Sequence, residues 1–352
     1  MASVRYVVKG QRVYPRGSDS DTITNRPLVP ESPPRDKAVP NNFTFGLDIA
    51  GGRYRIDQTT RERFHAGKRE AWYTRATVCA FDGKATQQAT PHQPDMPPEL
   101  ARGLQNPDAR IITGNVRAGV LAYDYWPLLF GHGIIPTWLF GPVPGARLRR
   151  LPEARTLSVA GHAHYQDRDC LVLRTRPMRL GIVIYDEYWV DPERQSAVLR
   201  YATYAGGKAD TDLEMTYART ALGWLTQRWT YTFRPNGRTK FYNQMRVQQT
   251  EFNPALDDET FKVDLKPGMI VVKQVMGGKA DNPVQPPLTA RAYYEVEDDG
   301  GLRLLKTQLA PERHGWPAYV WALIGLVCAL LALLGGRLWY RRRAASIGAP
   351  AG

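Results

Sequence analysis

Few side chains in this sequence have types and spacing that suit bond-making chemistry. His162 and His164 lie two residues apart, which on a strand points both to one face. A metal would need a third ligand from elsewhere, and neither Tyr165 nor Asp167 completes a recognised set. His132 lies between Gly131 and Gly133 in an apolar stretch, a place better suited to one specific hydrogen bond than to catalysis. The acidic clusters are Asp186-Glu187, expected at a strand edge, and Asp257-Asp258-Glu259, expected at a helix start where carboxylates meet the positive end of the dipole. Gly206-Gly207-Lys208-Ala209 and Gly277-Gly278-Lys279-Ala280 faintly resemble phosphate loops. Both lack the spacing and the Ser or Thr after Lys, so they read as turns. GxSxG, HExxH and GxGxxG are absent. Cys79, Cys170 and Cys328 form no CxxC pair, which excludes a zinc ribbon or a thioredoxin-like site. Cys79 and Cys170 either pair, if the domain lies outside the cytoplasm, or remain separate buried thiols. The sequence therefore assigns no catalytic residue, no metal site and no cofactor, and an enzyme is not expected.

The elements that would position any site are mostly strands. From Tyr185 to Val263, four apolar-polar runs are separated by turns: Tyr185 to Val190, Val198 to Tyr204, Trp224 to Phe233 and Phe241 to Gln249. Asp191-Pro192 closes the first run, and Asn236-Gly237 is the strongest short hairpin signal. Trp229, Tyr231 and Phe233 share one face, opposite Arg228, Thr230 and Thr232. Phe241, Met245 and Val247 share another, opposite Tyr242, Gln244 and Arg246. This is the period-2 pattern of an antiparallel meander with one apolar and one wet side. Earlier strands are expected at Val4 to Tyr14, Phe43 to Asp48, Arg53 to Gln58, Glu70 to Phe81 and Lys84 to Ala89, with a hairpin over Leu157 to Thr175. Arg16 to Pro40 and Pro91 to Asp108 are Pro-rich loops, the second with a short helix around Glu99 to Leu104. Val120 to Leu148 is apolar but broken by Pro and Gly, and reads as short helical turns that cover something. A helical turn near Asn253 to Asp264 leads to a strand at Ile270 to Gln274. One more hairpin spans Ala290 to Thr307.

The chain has 352 residues, a net charge of +13 and 43% apolar residues, enough for one large β domain or two smaller ones. The positive charge reflects either a solvated Arg-rich surface or attraction to an anionic partner such as lipid headgroups or a wall polymer. No RNP motif, zinc-finger spacing or basic helix is present, so nucleic acid is not an expected partner. Trp316 to Gly336 carries no charge, is long enough to cross a hydrocarbon core, and has aromatic residues at both ends. Arg341-Arg342-Arg343 then places the tail in the cytoplasm and the β domain outside it, at the cell membrane. No export signal precedes Val4, so an upstream signal peptide and helix are expected beyond Met1. The expected division is a sheet domain over 1–275, a Gly/Pro linker over 276–290, a membrane-proximal hairpin over 291–315, a spanning helix over 316–340 and a basic tail over 341–352.

Tyr188-Trp189-Val190-Asp191-Pro192, Val198-Leu199-Arg200, Trp224 with Trp229, Asn253-Pro254-Ala255-Leu256 and Phe261 together resemble the envelope carriers of the LolA type. That superfamily also includes LolB and LppX-like lipoproteins. Arg53-Tyr54-Arg55 followed by Asp82-Gly83 fits the same order of elements. The resemblance covers roughly Val4 to Lys273 and implies a mainly β fold: a strongly curved antiparallel sheet, an open half-barrel, with helical segments over its concave face. The leading helix of the family is missing here, and the C-terminal apolar segment is an addition. On this resemblance the chain is expected to hold a lipid or lipoprotein acyl chain without bond chemistry. The ligand-binding wall would comprise Trp189, Tyr201, Tyr217, Trp229, Tyr231, Phe233 and Phe241, with Leu199 and Met215 beside them. That apolar face is either a cavity or a dry core sealed by Val120 to Leu148. The other functional reading is an envelope sensor or scaffold that binds a protein partner through the same domain.

Overall fold

The computed structural model describes residues 2–16, 18, 36–66, 69–90, 95, 107–114, 125–135, 149–150, 157–179, 182–276 and 288–309. The first strands are β1 (Ser3–Tyr14), β2 (Lys37–Asp48), β3 (Arg53–Ala66), β4 (Arg69–Phe81), β5 (Thr86–Ala89) and β6 (Ala109–Gly114). A short helix α1 (Trp126–Phe130) precedes β7 (Ile134–Ile135) and β8 (Arg149–Arg150), which pair with each other. Then come β9 (Leu157–Tyr165), β10 (Arg168–Thr175), β11 (Met178–Arg179), β12 (Val183–Asp191), β13 (Ala197–Ala205), β14 (Lys208–Thr220), β15 (Gly223–Phe233) and β16 (Phe241–Phe252). The last are β17 (Ile270–Met276), β18 (Leu288–Val296) and β19 (Leu302–Leu309).

All strands except β7 and β8 join one 17-stranded sheet. Its order by pairing runs β9, β10, β12, β13, β14, β15, β16, β1, β2, β3, β4, β5, β6, β17, β18, β19, with β11 a short pair on β12. Every pairing is antiparallel except β6 with β17. Among the described residues the end strands β9 and β19 are not paired with each other, so the sheet is open. Bulges interrupt the β1–β16, β9–β10, β12–β13, β13–β14, β14–β15, β17–β18 and β18–β19 ladders. Each bulge bends its strand and increases the local twist, which curls a sheet this wide.

Turn chemistry sets the hairpins. Between β13 and β14, Gly206 and Gly207 have φ of 58° and 81°, a left-handed pair that costs glycine little. Two apolar clusters lie beneath the strands. The larger spans β1, β2, β3, β12 to β16 and α1, while the smaller gathers Ala80, Val263, Met269, Val271 and Val296 under the β4–β6 and β17–β18 wing. Between β16 and β17 the chain passes through a 3-10 turn at Glu259–Phe261. There Phe261 is fully buried, and the Arg53 guanidinium lies 4.4 Å from its ring centroid. Asp257 Oδ1 accepts from the Thr260 amide and hydroxyl, so this acidic cluster does open a helical turn.

Several expectations need correction or relocation. The meander has five strands rather than four, because Lys208–Thr220 forms β14 between the second and third runs. Asp186-Glu187 is not at a sheet edge: β12 lies between β10 and β13, and both acids are buried. Pro40, placed in a loop by its neighbours, lies within β2. The hairpin of β18 and β19 continues the large sheet through β17. Glu99 to Leu104, most of Val120 to Leu148, Gly277 to Pro287, Cys328 and the apolar Trp316 to Gly336 stretch lie outside the described residues. Among the described residues, no helix is long and apolar enough to cross a membrane.

Candidate functional site: an apolar face with a helical plug

The site begins with a proline. Pro127 stands at the start of α1, where its fixed φ suits the first turn and its missing N–H leaves no bond unmade. All five residues of the helix are buried. At its end Gly133 takes φ of 66°, which lets the chain turn away. Gly131 is needed for a different reason: a Cβ there would lie 3.1 Å from Thr226 Oγ1 and 3.3 Å from the Thr226 amide nitrogen. The helix thus sits directly on β15. Thr226 Oγ1 donates to the Pro127 carbonyl at 2.6 Å, and the Tyr125 hydroxyl donates to Gln58 Oε1 on β3 at 2.5 Å.

Against this helix the sheet presents rings. Trp126 meets Tyr201 edge-on at 5.1 Å, and Phe130 meets Tyr188 and Tyr201, each at 6.0 Å. Tyr125 packs edge-on against Phe43 at 4.8 Å. Such pairs add about 0.5–1.5 kcal/mol each beyond the area they bury. Tyr201, Tyr217, Trp229 and Tyr231 are all buried in this cluster with Trp126, Leu128, Leu129 and Phe130. Phe233 and Phe241 are half-buried at its rim, 5.6 Å apart, with the Arg12 guanidinium 4.7 Å from the Phe241 ring centroid. The apolar face is therefore filled at α1 by the chain's own side chains.

Six of the seven predicted wall residues come together on this face, and Trp189 does not. The register sets Tyr188 opposite Tyr201, so Tyr188 takes the inward position. Trp189 lies on the other face, with Arg200 stacked 4.5 Å over its ring and Tyr165 edge-on at 5.3 Å. With aromatics adjacent at 188 and 189, the larger ring gave the wrong phase. Tyr6, Phe43, Phe45, Trp126 and Tyr188 belong to the site and were not among the predicted wall residues. Pro127 within an apolar run was the local signal that could have marked the plug.

Polar groups are also built into the apolar side. Asp186 Oδ1 accepts from Tyr201 Oη at 2.8 Å and from Thr203 Oγ1 at 2.9 Å. Burial pushes its carboxyl up to about 6, with the two hydroxyls pulling the other way. His132 Nε2 and the Tyr6 hydroxyl share a hydrogen bond of 2.7 Å. Burial brings the imidazole down to about 4, so it is neutral at pH 7, and the same burial raises the Tyr6 phenol. The buried indole nitrogen of Trp229 finds no acceptor among the described residues.

The remaining candidates are structural. Asn253 Oδ1 accepts from the Ala2 amide and the Asn253 amide donates to Ser3 O, clasping the start of β1. Asp191 accepts from Arg168 at 2.8 Å. Its burial, which alone would raise the carboxyl, is outweighed by Arg168 and the Glu193 amide, and the group lies below the usual carboxylate range. His164 pairs with Asp169 at 3.0 Å, both exposed. Cys79 and Cys170 are separate free thiols. No group of three or more His, Cys, Asp or Glu suited to a metal occurs among the described residues.

Two solved structures are similar to this chain. One is an outer membrane lipoprotein-sorting protein domain from Vibrio parahaemolyticus, with a TM-score of 0.41 and 11% identity, covering 74% of this chain and 89% of that one. The other is a LolA superfamily protein from Nitrosomonas europaea, with a TM-score of 0.36 and 10% identity, covering 74% of this chain and 90% of that one. No protein-family model and no curated protein matches the sequence.

Proposed function

We propose that the domain is a non-catalytic binding protein that holds a lipid or lipoprotein acyl chain on the apolar face of the sheet. The observation that carries this reading is the plug: Trp126–Phe130 fills the space an acyl chain would take. The described helix of the plug has five residues, so its displacement breaks few regular hydrogen bonds. An entering chain of about twelve methylenes would regain on the order of 10 kcal/mol before ordering costs, at about 0.8 per methylene. The Trp229 indole N–H, without an acceptor among the described residues, supplies a donor for an ester or amide carbonyl. The domain lies outside the cytoplasm and is tethered by Trp316 to Gly336, with the basic tail inside.

The test is native mass spectrometry of delipidated full-length protein after incubation with a lipid extract. The expected result is a bound apolar mass, and more of it in Trp126→Ala, whose plug is lighter. Circular dichroism of the variant separates lost folding from altered uptake. No bound mass in either protein, with both folded, overturns the carrier reading.

A further inference from the structure

The opposite face of the same strands carries a second feature, independent of the plug. Register places Lys9 of β1 opposite Arg246 of β16, and Arg246 opposite Arg228 of β15. The three basic residues thus form one lateral row across three adjacent strands, about 4.8 Å apart at the backbone. All three are exposed, and none has an acidic partner among the described residues. Like charges placed directly opposite destabilise a sheet, so this row costs the fold stability.

Two residues along the strands lies a parallel row of amides and a hydroxyl: Gln11, Gln244 and Thr230. Gln11 Nε2 donates to Gln244 Oε1 at 2.9 Å, which orients the amides. The two rows line a groove of about 880 Å³. The β9–β10 turn closes one side with Gln166, whose φ of 51° holds it in a left-handed turn. Glu214 stands in the same groove beside Thr230, and across the next ladder it faces Arg200.

A row of cations matches phosphate oxygens, which Arg binds through charge-assisted, bidentate hydrogen bonds. A row of amides and a hydroxyl matches the hydroxyls of a sugar or polyol. We infer that this groove binds a phosphorylated sugar or polyol, with Lys9, Arg246 and Arg228 on the phosphate and Gln11, Gln244 and Thr230 on the hydroxyls. The ligand is either a soluble sugar phosphate or the headgroup of an anionic lipid, which present the same chemistry.

The experiment uses the full chain in phosphatidylcholine nanodiscs and isothermal titration calorimetry with glucose 6-phosphate, inorganic phosphate and glucose. Glucose 6-phosphate is expected to bind at millimolar concentration, more tightly than inorganic phosphate, and glucose not at all. Arg228→Gln and Arg246→Gln should each weaken binding about ten-fold, the loss of one charge-assisted hydrogen bond. Gln244→Ala should weaken glucose 6-phosphate and leave inorganic phosphate unchanged. The thermal midpoints of the Arg variants should equal or exceed that of the parent. Phosphatidylglycerol in the nanodisc lowers the apparent affinity for glucose 6-phosphate if the ligand is a headgroup, and leaves it unchanged if the ligand is soluble; both support the site. Absence of binding, or Arg variants that bind as the parent does, overturns it. Equal binding of phosphate and glucose 6-phosphate overturns the polyol half. A fall in midpoint with the loss of either Arg means that the cation serves the fold, and also counts against the proposal.

Discussion

The two faces of the strands from β12 to β16 obey different rules although their residues alternate one by one. On the inner face Tyr201, Met215, Trp229 and Met245 lie within a few per cent of complete burial. Contacts there are met by the chain itself, among them α1 against Tyr201 and Phe43 against Trp229. On the outer face Arg200 and Arg234 converge on Asp212 at 2.9 and 3.0 Å, while Arg228 and Arg246 have no such partner among the described residues. The inner face has its occupant built in. The outer face satisfies part of its charge and leaves part for solvent or a ligand. A strand can thus serve packing and recognition together, provided that its register is fixed, because a one-residue slip would exchange the two faces.

The sharpest test of this contrast is a matched pair of substitutions. Trp229→Asp buries a lone charge in the apolar cluster and should cost more than about 4 kcal/mol, enough to prevent folding in many domains. Trp189→Asp, on the outer face beside Arg200, should cost no more than about 1–2 kcal/mol. Urea unfolding of both would break the comparison if the two losses were similar.

The next effect comes from the buried carboxylate. Asp186 has its carboxyl raised to about 6 in the folded chain, against roughly 3.9 when unfolded. Between those values the folded state keeps a proton that the unfolded state has lost. Stability therefore falls as pH rises from about 4 to 6, by about 2–3 kcal/mol, and the deficit persists above 6. Asp186→Asn should recover most of that at pH 7 while still accepting from Tyr201 and Thr203. The difference between variant and parent is the quantity to measure, because His132, with its lowered value, contributes stability that changes with pH in the opposite sense. A variant less stable than the parent at pH 7 would mean that the carboxylate charge has a use.

Smaller effects should appear on the outer face. Asp212→Ala frees two guanidinium groups that are partly exposed, and should cost about 1–2 kcal/mol, measured by thermal melting at low and high salt. Arg246→Gln should raise stability by a few tenths to about 1 kcal/mol by removing a like charge from between Lys9 and Arg228. A loss in that variant would place Arg246 with the satisfied charges and erase the distinction within that face.

The strands were legible because alternation is a local property. Trp229, Tyr231 and Phe233 declared a face by themselves, and Gly206-Gly207 declared a turn. β14 was harder, because Lys208 to Thr220 interleaves Asp, Thr and Glu with its apolar positions and lacks the dense aromatic marking of its neighbours. Its Leu213, Met215 and Tyr217 nonetheless carry the period, and all three are buried. Trp189 misled because two aromatics in succession leave the phase undecided until the partner strand is known. The plug's own partners were not legible at all. Trp126 meets Tyr201 across 75 positions of sequence, and no local pattern reports such a distance. The cationic row is likewise invisible until register aligns residues 9, 228 and 246. Composition showed the excess of positive charge without showing where it gathers.

One feature of the topology bears on timing. The amino-terminal strand β1 lies in the interior of the sheet, between β2 and β16, with Val4 opposite Phe252. During synthesis, one side of β1 has no neighbour until residues near 250 have been made, and its open backbone groups must wait. Contacts of such long sequence separation slow folding, and an unpaired apolar strand invites wrong pairing meanwhile. A nascent chain of this sequence should therefore remain dependent on a chaperone until most of it has been synthesised. Transposing the β1 segment in the sequence so that it directly follows β16 should let the meander close early and shorten that dependence.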